Sequence, residues 1–345
     1  MKNKNIFKIN IIYFVAITLV AIVFLLGYLG ILNNDILMSL LIQVVVMLAI
    51  PLLMYSLLTK KNFKVTFNDC GLKKISSKMI SISIILGFVL YFINNFVADA
   101  FYGIISLFGY ENLSSTTTSS FSYGLLLKEL ILSCILPGFC EEFLHRGLLL
   151  HAGKKHSNPK YCLIISSILF GLMHLNIRQF FYASILGFLM GYVSLAADSI
   201  VPSIIIHFMN NFLSNYFYYG TYLEWPLAKF VNFVTNVFSS NVFMFIVTSS
   251  IAIIVLFLCY NYLTKLMLKE RAKRDIKAIV QALQMEKLSI VQAQIKFNEV
   301  NKLLKFKSIQ EQKERKFSFN ENIFLIASFV LGTLITISSF IWGVI

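Results

Sequence analysis

The chain has 345 residues, 58% hydrophobic and 13% charged, with a mean hydropathy of +0.77, whereas soluble domains carry about a quarter charged residues. That composition excludes a water-soluble fold, which could not hide so much apolar surface from water. The net charge of +14 does not mark a nucleic-acid binder, because most Lys and Arg lie in the segments between apolar runs, where anionic membrane lipid is the expected partner.

A hydrocarbon core of about 30 Å takes ~20 helical residues. Apolar runs of that order occur at 11–32, 36–58, 79–108, 122–151, 160–176, 179–198, 201–220, 242–263 and 319–345. They predict an all-α, polytopic transmembrane helical bundle of nine spans. Lys2, Lys4 and Lys8 precede the first run, which is longer than the ~7–15 apolar residues of a signal peptide and lacks a small-residue cleavage site. It is expected to stay as a first transmembrane helix.

The loop after the second span carries Lys60, Lys61, Lys64, Lys73, Lys74 and Lys78, and the 152–160 loop carries Lys154, Lys155 and Lys160. The positive-inside rule puts both in the cytoplasm. Tyr110 to Tyr123 and Thr221 to Pro226, on the opposite side, carry no Lys or Arg. The expected topology has a cytoplasmic N-terminus and an extracellular C-terminus in a cell membrane. Cys70, Cys134, Cys140, Cys162 and Cys259 show no metal-type spacing, so neither a disulfide nor a cysteine-ligated metal is expected.

Residues 264–318 hold fourteen basic and six acidic residues and are expected in the cytoplasm. Ile276, Ile279, Leu283, Ile290, Ala293, Phe297, Val300 and Leu304 recur there at helical spacing, interrupted at Glu286. Two readings stand side by side: a helix lying on the anionic membrane surface, or a coiled coil that takes a partner. By composition the chain divides into a membrane core (1–263), this basic segment (264–318) and a last transmembrane helix (319–345).

An ionisable side chain deep in a membrane costs several kcal/mol and is a functional hypothesis by default. Three runs meet that test: Leu136 to Gly147 with Glu141, Glu142, His145 and Arg146, then Ile168 to His174, then Ser203 to Asn211. Glu142 and Arg146 are i,i+4 and can pair, while Glu141 lies about 100° round the helix and is left to act on something else. The plainer reading is a structural charge network. His174 by itself could be a hydrogen-bonded packing residue. His207 and Asn211 share a helix face and could aim two donors at one oxyanion, or hold helices together. Counting ~1.5 Å per residue from the cytoplasmic ends, these groups lie at different depths and meet only if the helices tilt. A carboxylate, a histidine and a His/Asn pair are the parts needed to hydrolyse a peptide carbonyl. A thiol role for Cys140 is disfavoured by its apolar setting.

Glu141-Glu142-x-x-x-Arg146, Phe170-x-x-x-His174 and His207-x-x-x-Asn211, in that order, resemble the CAAX protease and bacteriocin-processing (Abi) family of intramembrane endopeptidases, over about residues 80–220. The resemblance implies an eight-helix core, to which the basic segment and the ninth span are added. It implies that Glu141 and His174 activate water, that His207 and Asn211 hold the oxyanion, and that Glu142 and Arg146 buttress the site. Many relatives are described as metalloproteases, but one His per helix is a poor match to zinc spacing. A cofactor-free glutamate protease is therefore expected, with a divalent metal left open. A di-iron reading of Glu142-x-x-His145 lacks a second copy. The expected substrate is a membrane-associated protein or peptide, and the Lys-, Asn- and Ile-rich composition resembles that of an AT-rich bacterium. The competing readings are a non-catalytic immunity or scaffold protein on the same core, and a transporter, for which the paired broken segments of two related halves are missing.

Overall fold

The computed structural model describes residues 4–111, 122–239, 242–285, 287–304 and 319–344. They form helices α1 (Lys4–Tyr28), α2 (Asp35–Thr59), α3 (Phe63–Asp69), α4 (Ser77–Ser106), α5 (Tyr123–Lys155), α6 (Pro159–Leu172), α7 (Ile177–Ala197), α8 (Val201–Tyr222), α9 (Pro226–Ser239), α10 (Val242–Gln284), α11 (Ile290–Leu304) and α12 (Phe319–Val344). Every one of the nine expected spans coincides with a helix. Seven of them, α1, α2, α4, α5, α7, α10 and α12, are long and apolar enough to cross a membrane, and the chain is a multi-pass membrane protein. The other two differ for separate reasons. α6 has only 14 residues, about 21 Å at ~1.5 Å per residue, and α8 carries His207, Asn210, Asn211, Ser214 and Asn215.

Two apolar clusters flank the motif-bearing helices. One joins α1, α2, α5 and α6 through Ile12, Ile17, Tyr55, Phe143, Leu148 and Leu169. The other joins α4, α7, α8 and α10 through Met79, Leu86, Ala183, Ile206 and Met267, and it includes Phe170 of α6. The motifs lie along the seam between them.

α2 and α5 are not uniform helices. Over Leu41–Ala49, Leu130–Ile135 and Phe143–Ala152 the backbone widens to bonds five residues apart: Ile50 N–H reaches Val45 O, Leu136 N–H reaches Ile131 O and Gly153 N–H reaches Leu148 O. Such wide turns re-aim side chains and recur at functional sites. Two are followed closely by prolines, Pro51 and Pro137. A proline lacks the N–H that would bond four residues back, so Pro137 leaves Ser133 O without its helical donor. The Asn211 amide of α8 fills that place, donating from Nδ2 to Ser133 O at 2.8 Å.

The basic loops converge on one end of the bundle. Asp69 pairs with Lys61 and Lys155, and Asp198 with Lys73 and Lys154. Burial raises both carboxyls, but hydrogen bonds from Lys155 and Lys61 hold Asp69 below the usual carboxylate range, and Lys154, Arg271 and Lys73 hold Asp198 far below it. The Cys70 thiol beside them is buried and pushed up to about 12, Asp69 adding to the effect of burial.

Residue 263 lies inside α10, which runs unbroken through apolar and basic sequence, so the boundary there is one of composition and not of fold. α11 packs back on α10, burying Ile276, Ile279, Leu283, Ala293, Phe297 and Val300 against one another. The apolar seam is thus filled within the chain, leaving Ile290, Val291 and Ile295 exposed. Glu286 and residues 305–318 lie outside the described residues, as does most of the 110–123 loop. The last helix is not apart from the core. Asn10 of α1 donates to Glu321 O and Asn322 Oδ1 of α12, and Ile177 N–H donates to Ser339 Oγ.

Candidate active site

Close approach of α5 and α8 starts the site. A Cβ placed on Gly138 would lie 3.3 Å from Phe208 N and 3.5 Å from Ile204 O, so glycine lets the two backbones touch one turn before Glu141 and Glu142. Both carboxylates then face His207. Glu142 Oε1 accepts from His207 Nδ1 at 3.0 Å and from Arg146 Nη1 at 2.7 Å. His207 Nε2 is left toward Glu141, 4.0 Å from its Oε2. His207 thus stands between the two carboxylates, with Arg146 paired to the same Glu142 oxygen.

Arg146 is fully buried. Its Nη2 donates to Gly187 O of α7 at 3.2 Å, and its guanidinium carbon stands 4.2 Å from the centre of the Phe170 ring. Phe170 also meets His145, His174 and His207 edge-on, at centroid distances of 5.1, 5.2 and 5.7 Å. One aromatic ring on α6 therefore spaces three imidazoles and carries the cation on its face.

His174 sits just past the end of α6. Its Nδ1 lies 2.8 Å from Phe170 O, and a ring nitrogen facing a carbonyl must carry the proton. Nε2 is then the basic nitrogen. His145 is held the same way, Nδ1 on Glu141 O at 2.8 Å, with Nε2 3.3 Å from the Tyr13 hydroxyl, which itself donates to Leu169 O. That arrangement packs His145 between α1 and α6.

Glu141 and His174 share a cavity of ≈ 200 Å³ with Gln43, Ser39 and Met47 of α2, Val20 and Phe24 of α1, and Gln179 of α7. Beside it, sharing Phe24 and His174, runs an apolar groove of ≈ 610 Å³ between α1 and α12, lined by Thr18, Leu25, Tyr28, Leu331 and Ile335 among others. The groove is open on its outer side, where Leu25 and Tyr28 are exposed.

The fold thus gathers Glu141, Glu142, Arg146, His174 and His207 around Phe170 and the cavity of Glu141 and His174. Asn211 stands one turn from His207 with one amide N–H committed to Ser133 O and its Oδ1 accepting from Asn210. Sequence reasoning missed Gln43, whose Nε2 donates to Glu141 Oε1 at 2.8 Å. A lone amide in the second span was the available signal, since uncharged polar groups inside a membrane also need partners.

Residues 123–213 match the family model "Type II CAAX prenyl endopeptidase Rce1-like". Over this segment the chain is similar to the CAAX proteases. No curated protein and no solved structure matches the chain. The matched segment carries all seven motif residues from Glu141 to Asn211, and it leaves Gln43 and the α1 and α12 walls of the groove outside it. Among the described residues no three His, Cys, Asp or Glu side chains are grouped so as to hold a metal ion.

Proposed function

We propose that the protein hydrolyses peptide bonds in substrates tethered by an apolar chain, with Glu141 and His174 activating water. The observation that carries this reading is the cavity the two share, joined to an apolar groove that ends at His174. Water held there donates one O–H to Glu141 Oε2 and the other to His174 Nε2. As its oxygen bonds to the scissile carbonyl carbon, one proton passes to Glu141 and the carbonyl electron pair moves onto oxygen. His207, its Nδ1–H anchored on Glu142, presents Nε2–H to that oxyanion, and Asn211 has a second amide N–H to join it. Collapse expels the amine, which takes the proton from Glu141. Glu142 and Arg146 fix the orientation of His207, as a carboxylate does for a catalytic imidazole. The groove takes the tether, a prenyl chain or an apolar leader segment.

The test is cleavage of prenylated, acylated and apolar leader peptides by the protein in lipid nanodiscs, with Glu141→Ala, His174→Ala and a chelator arm. General base catalysis contributes ~100- to 10,000-fold, so each variant should lose activity on that scale and the chelator should leave it unchanged. Retained cleavage in both variants would refute the reading.

A further inference from the structure

The side chain nearest the proposed base that has no assigned role is Gln43, from a helix outside the family segment. It is more than nine-tenths buried and lines the Glu141–His174 cavity. Its Nε2 donates to Glu141 Oε1 at 2.8 Å. An ionised carboxylate only accepts, so it fixes which end of the amide faces it. Oε1 must therefore point away from Glu141, and among the described residues it has no hydrogen-bond partner. A buried carbonyl oxygen without a donor is costly in a membrane interior, and such orphans call for a ligand or a function.

The wide turns over Leu41–Ala49 set this geometry. They re-phase α2 by one residue ahead of Pro51, which brings the amide to the cavity while Ile42, Val46 and Met47 stay in the apolar cluster. Resting on the hydrolytic reading above, the two O–H groups of the water are already used by Glu141 and His174. The donor left in an occupied site is a backbone N–H of the peptide.

We propose that Gln43 is a two-sided clamp: its Nε2–H holds Glu141 in its working position, and its Oε1 accepts a backbone N–H of the substrate next to the scissile bond. The occupant it selects is an extended peptide backbone, beyond whatever apolar chain fills the groove. Gln43 thus joins α2 to a site otherwise built from α5, α6 and α8.

The test pairs protein variants with substrate analogues in nanodiscs. A cleaved peptide is remade with single ester linkages replacing amides on either side of the scissile bond, which deletes one N–H at a time. Wild type should prefer the amide over the ester at one position by roughly fivefold or more in KM, the worth of one net hydrogen bond. Gln43→Met, close in shape and without polarity, should lose that preference and also lose at least tenfold in kcat. Gln43→Glu restores the acceptor and should recover the KM discrimination, but not kcat, because a second carboxylate faces Glu141. A merely structural role would change amide and ester substrates alike. Equal amide and ester kinetics in wild type at every position would overturn the clamp without any variant having to fold, as would unchanged kinetics in Gln43→Met. If Glu141→Ala is dead while these comparisons show nothing, the clamp alone fails. If Glu141→Ala still cleaves, or wild type cleaves no peptide, the hydrolytic reading fails and the clamp with it.

Discussion

Arg146→Met should be the most damaging single change in the core, through charge and not through volume. The guanidinium is fully buried and satisfies three groups at once: Glu142 Oε1 at 2.7 Å, Gly187 O at 3.2 Å and the Phe170 face at 4.2 Å. Methionine fills much of the same space but leaves the Glu142 carboxylate buried without its guanidinium, still accepting from His207 Nδ1. Breaking one side of a buried pair costs ~3–5 kcal/mol, and the lost cation–π contact adds ~1–2 kcal/mol. Removing both charges in Arg146→Met with Glu142→Leu should return stability to within ~1 kcal/mol of wild type. The double variant should nonetheless stay inactive, since His207 has lost the carboxylate that fixes Nδ1. The assay is the unfolding free energy in mixed micelles for all four members of the cycle, read as a coupling energy, with cleavage measured alongside. A coupling below ~0.5 kcal/mol would refute the argument that this pair holds the seam together, and an active double variant would refute the role given to Glu142.

Other outcomes follow from the same geometry. Asp69 and Asp198 have folded-state values below their unfolded ones, so their contribution is complete above the unfolded value of about 4 and is lost as pH falls through the folded values. Thermal stability should be flat from neutral pH down to about 5 and then fall, and Asp198→Asn should lower the neutral plateau and flatten the acid limb; a wild-type curve flat to pH 3 would contradict this. Ile335→Trp on α12 fills the groove that ends at His174 and should raise KM for substrates with long apolar tethers while leaving kcat within about twofold. Kinetics independent of tether length in that variant would separate the groove from the reaction. Tyr13→Phe removes the hydroxyl that donates to Leu169 O and adjoins His145, and should cost ~1–2 kcal/mol in the same unfolding assay with little change in kcat. A tenfold loss of kcat there would mean that His145 takes part in the chemistry.

Residue order alone marks the chain as a helical membrane protein, because helix length and apolarity are local quantities that a bilayer imposes on every span. It also determined which groups deserved attention, since ionisable side chains in apolar runs are too costly to be accidental. The i,i+4 pairing of Glu142 with Arg146 was legible for the same reason: helical neighbours are fixed by pitch. What the sequence could not show is whatever depends on two helices meeting. His207 turns one nitrogen to Glu142 and the other toward Glu141 because Gly138 lets α5 approach α8. Asn211 reaches Ser133 O because Pro137, three helices earlier in the chain, withholds an N–H. The apolar repeat from Ile276 to Val300, Ile290 excepted, found its match within the chain, as periodicity specifies a face but not what covers it. Gln43 met Glu141 only in three dimensions, and the wide turns that aim it depend on packing that no residue pattern announces. The last helix became a wall of the groove because α1 offered Asn10 and an apolar face, an outcome of tertiary contact between the two ends of the chain.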